Sequence, residues 1–353
     1  HVSNAQDIPP TASLVYPGID GKLVYVADSL GNKIPDFSNA GYKGGGITIP
    51  YVPVKATVWP IAGDNSDKIQ KVIDSVSVLP PDAYGFRGAV LLKMGLYQLD
   101  KPLYIKASGV VLRGEGMSDI GTILFGKIPK QQPTQGPGRG GRPALINISG
   151  DSAIKVLEET KQTISDKYVP VGARSFNVTS AKAFKIGDKV IVRRIGNEDW
   201  IKELGEDSAT VGRNRWRAFD INYDRIITDI KGNTITIDAP IFCAIETRWG
   251  GGFLFKYNDP RIENVGIENL RGISEYDPSV RTTEYGNMDR DKLDPKYRYK
   301  GEEYYSDENH YSNFINITNT KNAWVRNMSA MHFVSSVVQV NAGSKLSLIH
   351  ISE

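Results

Sequence analysis

The stretch Tyr304–Thr318 reads YYSDENHYSNFINIT and sets Asp307, Glu308 and His310, one of only four histidines in the chain, just ahead of an apolar alternation at Ile315 and Ile317. Residues two apart on a strand share a face. If the strand that turns Ile315 and Ile317 inward extends back to Asp307, then Glu308 and His310 point outward together. The carboxylate can then orient the imidazole or raise its pKa, giving a base that works near neutral pH. Asp307 and Asn309 would point the other way. A polar turn entering a strand is the plainer reading of the same letters. In NAWVRNM, burying Ala323 and Val325 turns Trp324 and Arg326 outward on one face. A base such as His310 and a cation such as Arg326 are the two groups needed to remove a proton next to a carboxylate. The alternative for the second pair is an indole covering a neighbouring coil and a guanidinium bridging to a nearby acid. His332, in SAMHF, is a further ring in the same region, as catalytic neighbour or as packed histidine.

These residues need a scaffold, and the chain supplies repeats. IENVGIENLRG from Ile262, TKNAWVRNMSA from Thr320 and GSKLSLIHISE from Gly343 can be laid over one another. Asn264 then matches Asn322 and Lys345, and Val265, Ile267 and Leu270 match Ala323, Val325 and Met328. Leu346, Leu348 and Ile351 take the same places in the third copy. Each repeat is a short strand with asparagine at a bend, which cannot bury its apolar face alone; stacked coils can. Asn264, Asn269, Asn322 and Asn327 are read as stacked bend residues. Upstream, DNSDKIQKVIDSVSVLPP places Ile69, Val72, Ile73 and Val76 at helical spacing between an Asp or Ser cap and a double proline. GAVLLKMGLYQLDKPLYIKASGVVLRGEG reads as three short strands. RIITDIKGNTITIDAPI reads as two alternating runs about a Lys-Gly-Asn turn. The fold expected is all-β, a right-handed parallel β-helix with an N-terminal capping helix and a small inserted β subdomain. Its parts are a wrapping segment over 1–63, helix and first coils over 64–174, the insertion over 175–245, and further coils over 246–353. A charged, tyrosine-rich insert at 277–306 leads directly into Asp307.

Bulk properties narrow the partners. The 353 residues are 40% hydrophobic and carry a formal charge of +3, with acids and bases interspersed, so no nucleic-acid footprint is visible. No stretch is apolar enough to span a membrane. One cysteine, Cys243, excludes an internal disulfide and any cysteine-cluster metal site. The glycine-rich KIPKQQPTQGPGRGGRP, 127–143, lacks the order of a phosphate-binding loop and reads as a solvated basic loop. SKLSLIHISE stops in mid-alternation, which suggests further coils beyond it, and a removed signal peptide is compatible with the start at His1.

GDNSDKIQKVID followed by GAVLLKMGLYQLDKPLYIKASGVVLRGEG resembles the head of the pectate-lyase-like superfamily of parallel β-helix proteins: a capping helix, a strand, a P-x-G-x-Y turn and a strand closing on L-x-G-x-G. Here lysine and methionine stand where that family usually has proline. EDWIKELG, GNTITIDAPI, VGIENLRG, DENH and NAWVRNMSAMHF are similar to a bacterial branch of that superfamily associated with polysaccharide breakdown. The resemblance implies a secreted, periplasmic or cell-surface monomer acting on a polysaccharide. Within it, an anionic, uronate-containing chain cleaved by β-elimination is the first expectation, with His310, Glu308 and Arg326 catalytic and Trp324, His332, Asp307 and Tyr276 binding the substrate. Calcium held by Asp307, Glu308, Glu275 or Asp277 could replace the arginine. A glycoside hydrolase would instead need two carboxyl groups about 5 to 9.5 Å apart, such as Glu308 with Glu275 or Asp277. A non-catalytic glycan-binding or surface-fibre protein is the third reading.

Overall fold

A computed structural model of the chain describes residues 14–127, 144–151, 154–207, 216–283, 303–345 and 347–350. Most of the glycine-rich loop, the body of the charged insert and the final residues, to which the loop and third-repeat readings applied, lie outside them. The chain is mostly β and divides into two compact units: His1–Asn39 with Ile154–Asp259, and Ala40–Ala153 with Pro260–Glu353. Among the described residues, no helix is long and apolar enough to cross a membrane.

The second unit is built from parallel strands. One ladder runs Val54–Val58, Gly88–Leu92, Val110–Arg113, Gly266–Ser274, Trp324–Met331 and Leu348–His350, and Gly95–Leu99 and Thr122–Gly126 join it beside Gly266–Ser274. A second ladder runs Leu103–Ile105, Ala144–Ser149, Asn313–Thr318 and Ser336–Val340. From Gly88–Leu92 onward the chain visits the first ladder and then the second, so successive passes add rungs to both. Inward side chains such as Val90, Leu112, Ile267, Val325, Ile146 and Ile315 form one buried core. Each fully buried aliphatic contributes about 1.5–3 kcal/mol, available only once neighbouring rungs stack. The helix Ser66–Ser77 adds Ile69, Ile73 and Val76 to that core. Its first turn is held by Asp64, whose Oδ1 accepts the Ser66 N–H at 2.8 Å, and Pro80 and Pro81 follow its end.

Ile262 pairs with Thr320, and Ile267 with Val325, the register laid out in the sequence. The bends are made by Asn264, Asn269, Asn322 and Asn327, all with φ between 51° and 60°, a left-handed conformation that asparagine tolerates better than most residues. Asn327 Nδ2 donates to Asn269 Oδ1 at 3.0 Å, so the bends are tied rung to rung. The third copy departs by one residue: Trp324 faces Leu348 and Val325 faces Ile349. The expected match of Leu348 with Val325 is therefore shifted by one residue in register.

The other unit holds an antiparallel sheet in the order Lys155–Thr163, Gly252–Asn258, Lys189–Arg194, Ile221–Lys231, Thr234–Ile237, Ser175–Asn177. The Lys-Gly-Asn turn is present, with Gly232 at φ 61°. The sheet exceeds the expected 175–245 span at both ends, because Lys155–Thr163 and Gly252–Asn258 pair with one another and the latter pairs with Lys189–Arg194. The expected segment 1–63 is likewise divided between the units after Asn39.

Candidate functional site

A pocket of about 780 Å³ opens in the parallel unit where three bends meet. The first bend follows Gly266–Ser274 and carries Tyr276. The second is the stem of the charged insert, where Arg281–Thr282 pairs antiparallel with Tyr304–Tyr305 and runs on through Asp307, Glu308 and His310. The third is His332–Val334, tied to the second by Val334 N–H donating to the Tyr311 carbonyl at 3.2 Å. His332 sits at φ 63°, which swings its ring over Tyr276. The two rings stack at 4.3 Å between centroids and 29° between planes, and Tyr305 stands edge-on to Tyr276 at 6.1 Å.

Five of the seven expected site residues therefore come together: Tyr276, Asp307, Glu308, His310 and His332. Their roles are not all the expected ones. The strand begins only at Asn313, because Asp307 starts a turn instead, its Oδ1 accepting the Asn309 N–H and its Oδ2 the Asp277 N–H, both at 2.8 Å. Glu308 is consequently exposed and His310 buried, so they do not share an outward face. Both ring nitrogens of His310 have protein partners. Nε2 lies 3.0 Å from the Asp307 carbonyl and must donate to it. In the neutral ring Nδ1 then accepts from the Ser274 hydroxyl at 3.1 Å. Ser274 Oγ in turn accepts the Tyr311 N–H at 3.2 Å. This is a lock on the loop, and it corrects the expectation of His310 as the base. Asp307 is a second lock.

Trp324 and Arg326 are not at this pocket. They leave the core on the side the alternation requires, but there Trp324 is covered and Arg326 is paired. Trp324 is 0% exposed, packed edge-on against Tyr42 at 5.4 Å and Phe86 at 6.1 Å. Its indole lies across Gly266 of the adjacent strand, where a Cβ would meet it at 2.2 Å. Arg326 Nε donates to Glu268 Oε2 at 2.6 Å, and Trp324 Nε1 reaches the same oxygen at 3.2 Å. Arg113 Nε donates to Glu268 Oε1 at 2.5 Å. Arg113, Glu268 and Arg326 are one rung apart in register, a guanidinium, carboxylate, guanidinium row that is buried at Arg113 and Glu268 and part-exposed at Arg326. The bridging alternative weighed for Arg326 is the observed one. Glu268 was legible by carrying the Asn264–Asn322 offset onto it, which lands on Arg326. Ser274 and Tyr305 gave no comparable signal, since bend geometry places them.

Chemically, the pocket offers an aromatic stack and carboxylates. Among the described residues its lining carries no lysine or arginine. Arg281, on the stem, is taken up by Glu303 at 3.0 Å and by the Tyr305 ring at 4.4 Å. Of the carboxylates expected to bind calcium, Asp307 holds two backbone N–H groups and Asp277 holds Ser279. No group of three or more acidic, histidine or cysteine side chains suited to a metal gathers among the described residues.

No family model and no curated protein matches the chain. Solved structures that overlap it include the tailspike protein gp49 from Pseudomonas phage LKA1, at 13% identity and TM-score 0.36, covering 77% of this chain and 32% of that one. The Gp54 tailspike of Acinetobacter baumannii bacteriophage AP22, in complex with A. baumannii capsular saccharide, overlaps at 10% identity and TM-score 0.31, covering 81% and 43%. The Pseudomonas phage phi297 tailspike gp61 overlaps at 11% and 0.31, covering 80% and 41%. The chain spans 32% to 43% of their lengths. The fold described above rests on this chain's own strand pairings.

Proposed function

We propose that the parallel unit is a right-handed parallel β-helix and that the protein binds and cleaves a polysaccharide at the pocket between Tyr276, Glu308 and His332, outside the cell or at its surface. The observation that carries this reading is the stacked Tyr276–His332 pair beside an exposed carboxylate. Flat rings suit the apolar face of a pyranose, and a carboxyl group placed against the sugar is the usual acid or base of glycosidic bond cleavage. The parallel ladders support the first part, since rungs that repeat along an axis offer a straight track for a chain of repeating sugars.

Hydrolysis is the reaction the lining favours. A uronate in the pocket would face Asp307 and Glu308, and the arginine expected to neutralise it, Arg326, is bound to Glu268. We assign Glu308 and Asp307, the two carboxylates of the lining, as the pair that hydrolysis requires, with Glu308 as the acid or base, Tyr276 and His332 as the sugar platform, and His310 and Ser274 as positioning residues. The deciding experiment is incubation with neutral and acidic glycans, with and without chelator, following reducing ends and ultraviolet absorbance together. Reducing ends without absorbance are expected. Absorbance from unsaturated uronate ends would replace hydrolysis by elimination. Glycan binding without either product would reduce the protein to a binding module.

A further inference from the structure

A second pocket, of about 460 Å³, lies wholly within the antiparallel unit, between residues 25–36 and 170–175. That volume falls in the range of about 300–1,000 Å³ typical of small-molecule sites. The expected polysaccharide chemistry makes no use of it. Its walls are fastened to each other: Tyr168 Oη donates to Asn32 Oδ1 at 2.6 Å, the Val171 N–H donates to the same oxygen at 3.0 Å, and the Lys33 N–H donates to the Val171 carbonyl at 3.1 Å.

The charged groups are arranged around one carboxylate that leaves cations to spare. Asp36 Oδ2 accepts from Arg174 Nη2 at 2.6 Å, while its Oδ1 accepts the Ser38 N–H at 2.9 Å and, at 3.4 Å, the Tyr25 hydroxyl. Hydrogen bonds from Ser38, with Arg174 close by, hold the Asp36 carboxyl below its ordinary range. Asp36 thus fixes one edge of the Arg174 guanidinium. The remaining N–H groups of Arg174, and the Lys33 ammonium, have no protein partner among the described residues. The Lys33 stem crosses Gly172, at φ 82°, where a Cβ would meet Lys33 Cγ at 2.7 Å, so the glycine is what lets the ammonium reach this pocket. Arg225, close enough to Arg174 to repel it, donates only to the carbonyls of Ala239, Asp224 and Pro240, though Asp224 and Asp238 lie near it. Ile34 and Pro170 supply apolar wall.

We propose that this pocket binds a small organic carboxylate of sugar-acid size, its carboxylate held between Lys33 and the open edge of Arg174 and its hydroxyls within reach of polar groups such as Tyr25. A planar fork with one edge anchored presents the other to a carboxylate in fixed orientation. The proposal stands independently of the cleavage reading, because no residue is shared with the Tyr276 pocket.

The test is calorimetric titration of the full chain with glucuronate and galacturonate, against glucose and galactose. Lys33→Ala, Arg174→Gln and Tyr276→Ala are compared, with melting temperature as the folding control. Lys33 is exposed, so Lys33→Ala tests the site even if Arg174→Gln unfolds. The acids are expected to bind and the neutral sugars not. The affinity should fall with salt, drop about tenfold or more in each of the two pocket variants, and be unchanged in Tyr276→Ala. No heat with either acid, equal affinity for acid and neutral sugars, or binding lost in Tyr276→Ala but kept in Lys33→Ala would each overturn it.

Discussion

Two regions of the parallel unit stand away from its core, one under a second layer of side chains and one forming a pocket among the described residues. In the row of Arg113, Glu268 and Arg326, Arg113, Glu268 and the neighbouring Trp324 are buried, Trp324 under Tyr42 and Phe86, and only the Arg326 end is part-exposed. Among the described residues, the bends that carry Tyr276, Glu308 and His332 enclose a pocket. Strand alternation says which side faces away from the core; it does not say whether that side is wet. A glycine makes much of the difference here, since Gly266 lets the indole lie flat on the neighbouring strand, where a second layer can close over it.

If the open region does the chemistry and the closed one only holds the sheet together, substitutions should separate the two. Glu308→Gln, which keeps the shape and removes the charge, should lower kcat by about 10²- to 10⁴-fold with the melting temperature unchanged. Wild-type turnover in this variant would move the chemistry elsewhere. Glu268→Ala should do the opposite, stranding two guanidinium groups and costing about 3–5 kcal/mol of stability, while activity per folded molecule is retained. Loss of activity without loss of stability would place the closed row in the site after all. Gly266→Ala drives a methyl into the Trp324 ring and should cost about 1–3 kcal/mol, read as a shift of denaturant midpoint.

Much of the scaffold was legible because periodicity reports burial. The helix at Ser66–Ser77, the Lys-Gly-Asn hairpin, the asparagine bends and the 262/320 register all follow from spacing that a core enforces. The site was half legible. Asp307, Glu308, His310, Tyr276 and His332 do line one pocket, as polar and aromatic residues at bends next to an insert can. Their division of labour was not legible, since it depends on a turn at Asp307, three residues before His310, that keeps the alternation from reaching back past Asn313. Trp324 and Arg326 were misplaced for another reason: their cover comes from Tyr42 and Phe86, more than two hundred residues earlier in sequence, and no local pattern announces it.

That cover also carries a small defect that sharpens the contrast between the regions. The Tyr42 hydroxyl is buried without a hydrogen-bond partner, and burial, with the Glu263 carboxylate nearby, pushes its pKa up to about 12 from an ordinary 10.0. Above pH 10 the unfolded chain releases a proton that the folded chain retains. Titration of Tyr42 therefore takes nothing from the fold below pH 10 and lowers its stability progressively as pH rises toward about 12. Tyr42→Phe removes both effects. It should stabilise the protein by about 1 kcal/mol at neutral pH, the lower end of what an unsatisfied buried hydroxyl costs, and flatten the loss of stability between pH 10 and 12. Denaturant unfolding at pH 7, 10 and 11 measures both. A destabilised Tyr42→Phe would mean that the hydroxyl has a partner and that the covered row is wetter than its burial indicates.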